Sequence, residues 1–224
     1  QRQMCIRDRG SCTQPAAEEN YTRHVDPKIG TGGHGHVFVG ANVPFGLVQV
    51  GPTSIPQTWD WCSGYHASDS TVIGFSHTHL SGTGIGDLFD ITVMPVVGEV
   101  TYARGEENDP ASGLWSYADR TREITKPGYY SVPLVRYGIT AELTATERVG
   151  LHRYTFPASD AASVVFDLEN GGCWDKATQT HLEKESDNRI TGYRYSTGWA
   201  KDQRVYFVAE FSKPFAKFET VGDK

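Results

Sequence analysis

Three short segments hold most of the residues in this chain that could bind or react: IGTGGHGHVF (29–38), TWDWCSGYH (58–66) and GFSHTHLSGTGIGD (74–87). Each interleaves Gly with His and aromatic side chains. Glycine admits positive φ and lets the backbone come close to a ligand, so such loops can offer N–H and C=O groups as well as side chains. In the second segment Trp59 or Trp61 can stack on the apolar face of a pyranose. Asp60 and His66 can hydrogen-bond vicinal hydroxyls there, and the turn from Cys62 to Gly64 can approach without steric bulk. If the backbone is extended, Trp59 and Trp61 share a face. The competing reading places the indoles in the core and gives Asp60 a turn to cap.

Metal and acid–base chemistry are less well supplied. His34-x-His36 and His77-x-His79 each put two imidazoles on one side of an extended segment, and the four could converge on zinc. No Asp or Glu follows at the spacing of a cupin-type third ligand, so histidines satisfied within their own loops are the simpler account, and no metal ligand is assigned. A phosphate loop would need Gly-Lys-Ser/Thr, and a dinucleotide fingerprint would need a helix after its glycines; both are missing. Asp60, Asp69, Asp87, Asp90, Glu142 and Asp167 could each serve in a glycosidase acid–base pair, but no two of them pair by position. Asp87 and Asp90 flank a strand start, where turn formation explains them equally well. No catalytic residue is assigned.

The elements that must position these loops read as strands. Phe45–Val50 lies between Pro44 and Pro52, and Asp90–Val97 is rich in β-branched residues and stops at Gly98. From Gly128 to Phe156 the pattern turns at Gly138 and near Gly150, a meander of three antiparallel strands. Ser163–Leu168, Arg189–Ser196 and Val205–Phe211 follow; in the last, Val205, Phe207, Ala209 and Phe211 alternate with Tyr206, Val208 and Glu210, one face buried and one wet. Helical periodicity is confined to a turn or two around Leu114–Glu123. The expected fold is mainly β, a twisted antiparallel β-sandwich with long Gly/His/aromatic-rich loops and little helix.

With 224 residues, 38% hydrophobic and 21% charged, the chain can bury a full core as one unit from about Tyr21 onward. A net charge of -6 without a Lys/Arg cluster argues against nucleic acid as a partner. No apolar run reaches the eighteen residues of a membrane-spanning helix. Residues 1–22 read as a tail: Gln1–Arg9 has no structural period and resembles translated adapter sequence, and Gly10-Ser11-Cys12 resembles the end of a lipoprotein signal. Cys12 is then either a lipid anchor or an ordinary tail cysteine. Cys62 and Cys173 can pair in an oxidising compartment or stay free.

Four long stretches, VDPKIGTGGHGHVFVGANVPFGLVQVGP, WDWCSGYHASDSTVIGFSHTHLSGTGIGD, PGYYSVPLVRYGITAELTATERVGLHRYTFP and ITGYRYSTGWAKDQRVYFVAEFSKPF, together resemble glycoside hydrolase family 92 from about His24 to Phe215. That family is one of exo-acting, calcium-dependent, inverting α-mannosidases with an amino-terminal β-sandwich and a larger (α/α)6 helical domain. The resemblance covers the sandwich alone, residues 23–224. It implies that acid, base and calcium ligands lie on a helical domain beyond Lys224, that sandwich loops complete the mannose pocket, and that this chain by itself does not catalyse. It implies α-mannoside glycans and the helical domain as partners, and export to the periplasm or outer membrane of a bacterium. Carried over as sugar-contacting are Trp59, Asp60, Trp61, Cys62, Gly64, Tyr65 and His66, with His77, His79, Ser81 and Gly82 facing either sugar or the helical domain. A non-catalytic carbohydrate-binding module and a zinc enzyme built on the His-x-His pairs are the competing functions.

Overall fold

A computed structural model describes residues 19–222. The expected lipid anchor at Cys12 lies outside these residues. At the start of the described chain, Tyr21–His24 forms a 3-10 turn that the Asn20 side chain caps through the Thr22 amide.

Apart from three short 3-10 turns, the regular elements of the described residues are strands. The first half contributes β1 (Ala41–Asn42), β2 (Gln49–Thr53), β3 (Thr71–Val72), β4 (Gly74–Ser76), β5 (Thr92–Val97), β6 (Ser116–Tyr117) and β7 (Ile124–Lys126). The second contributes β8 (Tyr129–Leu134), β9 (Ile139–Ala145), β10 (Gly150–Thr155), β11 (Ala162–Asp167), β12 (Lys176–Ser186), β13 (Arg189–Thr197) and β14 (Gln203–Glu210). They assemble into a five-stranded sheet in the order β1-β2-β4-β5-β11 and a four-stranded sheet in the order β10-β9-β8-β7. A three-stranded sheet β12-β13-β14 and the small β3-β6 pair complete the set. All the strand pairings among the described residues are antiparallel.

One core joins the two main sheets. Val50, Phe75, Met94 and Val96 from one meet Tyr130, Val132, Leu134, Ile139, Ala141 and Leu143 from the other, all of them buried. Each such side chain withdrawn from water contributes about 1.5–3 kcal/mol. The strands that form this core are those whose apolar residues alternate, as β9 does with Ile139, Ala141 and Leu143 inward. The outer sheet packs through Phe207, which stacks on Phe166 at 6.0 Å.

The meander falls where its turns predict, at β8, β9 and β10. One strand boundary is corrected, one helical segment resolves to a single turn, and one strand carries no signal in the sequence. Phe45 is fully exposed with φ +62, in a turn between Pro44 and Gly46, so the strand begins at Gln49 and runs on through Pro52. The turn or two expected around Leu114–Glu123 is a single 3-10 turn at Arg120–Arg122, preceded by β6. The longest strand, β12, carries KATQTHLEKES, whose polar residues give no alternation to read; charged side chains on such an edge discourage pairing with another chain.

Candidate functional site

The three loops interlock. The Gly82 amide donates to the His36 carbonyl at 2.6 Å, Ala67 to Thr31 at 2.9 Å, and Ser54 to Gly64 at 2.6 Å. Within the second loop, Trp59–Trp61 forms one 3-10 turn, with Cys62 N–H donating to the Trp59 carbonyl at 3.0 Å. That turn, not an extended strand, decides where the two indoles go.

Trp61 donates its indole N–H to Asp69 at 2.6 Å and stacks on His66 at 4.3 Å. Trp59 points elsewhere. Its N–H is given to the Gly84 carbonyl at 2.8 Å, and 53% of the residue stays exposed. Gly84, at φ +65, makes that approach possible, because a Cβ there would stand 2.8 Å from the ring. With its polar atom engaged, the indole offers an apolar face to solvent.

A cavity of about 250 Å³ opens beside it, lined by Gln57, Thr58, Trp59, Cys62, Cys173 and Trp174. Trp174, 48% exposed, is a candidate wall that the sequence reading did not select; the Gly171-Gly172 turn before an aromatic was its only signal. Cys62 and Cys173 are free thiols on this cavity, and burial pushes the Cys62 thiol up to about 11. A wider depression of about 480 Å³, bounded by Val43, Thr146, Glu147 and Arg148, has no aromatic wall.

Asp60 is held by two imidazoles. His34 donates from Nδ1 to its Oδ1 at 2.6 Å and His36 from Nε2 to the same oxygen at 3.3 Å. The hydrogen bond from His34 holds the Asp60 carboxyl below the usual carboxylate range.

The other expected site residues are mostly interior. Tyr65 is buried, donates to Glu123 at 3.2 Å and lies under the Arg120 guanidinium at 4.3 Å. His66 is buried and its Nδ1 accepts from Ser68 N, leaving an Nε2 without a partner. Cys62 and Gly64 are also buried, with Gly64 at φ +85 against Phe89 and His79. Ser81 and Gly82 are exposed.

The two His-x-His pairs do not converge through the contacts they make. His77 donates from Nδ1 to the Ile91 carbonyl at 2.6 Å and meets His152 Nε2 at 2.9 Å. His79 donates from Nδ1 to the Gln49 carbonyl at 2.7 Å and is flanked by Phe38 and Phe89. A four-histidine zinc centre is therefore absent from this arrangement of described residues.

The glycosyl hydrolase family 92 N-terminal domain matches residues 24–224. The chain is 40% identical to a family 92 α-mannosidase from Bacteroides thetaiotaomicron, solved in complex with mannoimidazole, with a TM-score of 0.84 over 87% of this chain and 26% of that one. It is 30% identical to a second family 92 glycosyl hydrolase of solved structure, with a TM-score of 0.71 over 84% of this chain and 26% of that one. An uncharacterized secreted glycosidase of Arthroderma benhamiae is 31% identical over 150 residues, 65% of this chain and 19% of that protein. The chain thus spans between 19% and 26% of the length of these relatives.

Proposed function

The chain belongs to the glycosyl hydrolase family 92 N-terminal domain family, and from that premise we propose that it is the substrate-completing β-sandwich of an exported, calcium-dependent, inverting exo-α-mannosidase. Its loops form one wall of a mannose pocket whose acid, base and calcium belong to a helical domain. The observation that carries this reading is the exposed face of Trp59 beside a cavity it shares with Trp174. An indole whose N–H is already bonded can still stack on the apolar face of a pyranose.

The division of labour follows from what the two reactions need. An inverting glycosidase holds two carboxyls about 6.5–9.5 Å apart with a water between them. Asp60 is tied to His34 and His36, while Asp90 is buried against Arg194, so neither is free for that role. Calcium takes six to eight oxygen ligands. Among the described residues the one convergent set of such side chains is His34, His36 and Asp60, two nitrogens and a carboxylate, which does not fit calcium. We place that ion on the helical domain.

Ser81, Gly82 and the outer edge of the tryptophan turn are the parts we assign to sugar or to the domain contact. Tyr65, Cys62 and Gly64 act from beneath, fixing the turn. The name of the fungal relative, a secreted glycosidase, supports export; we assign the periplasm or outer membrane, with Cys12 as lipid attachment point.

The experiment is an assay of the purified chain on α-mannosides, alone and as one polypeptide with a family 92 helical domain. The account expects turnover only from the two-domain protein. Sustained hydrolysis by residues 1–224 alone would refute it.

A further inference from the structure

His34, His36 and Asp60 are more than neighbours of the tryptophan wall. Their candidate ligand atoms all lie within 4.8 Å of one another. Tetrahedral zinc with bonds of about 2.0–2.1 Å sets its ligand atoms about 3.3 Å apart. His36 Nε2 already stands 3.3 Å from Asp60 Oδ1, and His34 Nδ1, at 2.6 Å, would withdraw by about 0.7 Å, a shift within reach of an exposed side chain. From this geometry we infer that His34, His36 and Asp60 form a binding site for a transition-metal dication of the zinc class.

Three features of the fold favour that assignment. First, His36 is a non-glycine residue at φ +53, a strained conformation that persists only where the surroundings impose it. Gly82 N–H on its carbonyl and the Trp59 ring at 4.2 Å hold it there, with Nε2 turned to Asp60. Second, the ligands come from two separate segments, the glycine-rich first loop and the 3-10 turn at Trp59–Trp61, so the tripod is assembled by the fold and not by sequence neighbours alone. Third, the site is open on one side: the His34 side chain is 78% exposed, whereas that of His36 is 6% exposed. Three protein ligands plus an open position leave room for water or a substrate hydroxyl as the fourth.

The donor set chooses the ion. Two imidazoles and one carboxylate suit Zn²⁺, and also Co²⁺ or Ni²⁺, whereas calcium and magnesium prefer oxygen shells. The metal of this site is therefore chemically distinct from the calcium assigned to the helical domain. The site adds to the sugar reading without resting on it, because metal binding is counted with no glycan present.

The test uses the untagged chain, stripped with chelator, incubated with excess Zn²⁺ and desalted before zinc is counted by mass spectrometry. One zinc per chain is expected, and Co²⁺ should give the visible bands of a tetrahedral complex. His34→Gln changes an exposed side chain and leaves the core intact; it and Asp60→Asn should each weaken zinc binding by about a hundredfold or more, since loss of a mere supporting partner of a ligand already costs about 10–100-fold. His181→Gln, at a surface histidine paired only with Glu183 at 3.6 Å and stacked on Tyr193, should leave it unchanged. Less than one zinc per ten chains, or binding indifferent to both His34→Gln and Asp60→Asn, overturns the inference.

Discussion

Replacing Arg194 by methionine is expected to lower the unfolding free energy by about 3–5 kcal/mol, the usual cost of removing one partner from a buried ion pair. Arg194 is completely buried on β13. Its Nη1 donates to Asp90 at 2.7 Å, its Nε donates to the Leu168 carbonyl at 2.9 Å, and its Nη2 pairs with Asp175. This one guanidinium therefore ties the outer three-stranded sheet to the segment leading into β5. Methionine keeps much of the volume but strands two buried carboxylates without a counter-charge. Burial already pushes the Asp175 carboxyl above its ordinary value against the pull of Arg194. Urea unfolding of Arg194→Met measures the loss, and adding Asp90→Asn should recover part of it, since the uncompensated charge is the main cost. A loss below about 1 kcal/mol would mean the network contributes little, as exposed ion pairs do.

Acidification from pH 7 to pH 5 should weaken the domain through histidines that the fold keeps neutral. Burial lowers His79 to about 4, compared with about 6.5 in an unfolded chain. Between those values the unfolded chain holds a proton that the folded chain does not, so stability falls as pH falls. The slope is about 1.4 kcal/mol per pH unit, or about 2 kcal/mol between pH 6.5 and pH 5 from His79 alone. Below about pH 4 the loss levels off.

His77 and His152 act in the same direction, both lowered by burial. Their hydrogen bonds fix where the protons sit. His77 donates from Nδ1 to the Ile91 carbonyl, so its Nε2 accepts from His152 Nε2, and His152 Nδ1 accepts from the Tyr154 hydroxyl at 2.7 Å. A second proton on His77 would set two N–H groups head to head across that contact. Denaturant midpoints at pH 7, 6 and 5 should fall steadily, and His79→Asn should reduce the slope. Midpoints that stay level over that range would contradict neutral, dry imidazoles at these positions.

Much of this architecture is legible in the chain because alternation survives wherever one face meets the core. Ile139, Ala141 and Leu143 mark β9 inward, and Val205, Phe207 and Ala209 mark β14. β12 is illegible for the opposite reason: both its faces tolerate polar side chains, so burial leaves no period. Arg194 is hidden from sequence reading because its partners lie far along the chain, at Asp90 and Asp175. The chemistry-bearing loops stand out by composition, yet composition does not tell a wall residue from a support. Trp59 and Trp61 look equivalent in TWDWCSGYH; a single 3-10 turn sends one to solvent and the other to Asp69. Trp174 joins Trp59 only through tertiary folding, across more than a hundred residues.

If the exposed face of Trp59 contacts sugar, Trp59→Ala in the two-domain protein should lower kcat/KM on α-mannosides by one to two orders of magnitude, corresponding to a lost contact of about 1–3 kcal/mol. Thermal stability should change little, because a half-exposed ring contributes little to the core. Unchanged kcat/KM together with a lowered melting temperature would make Trp59 a packing residue and contradict the claim.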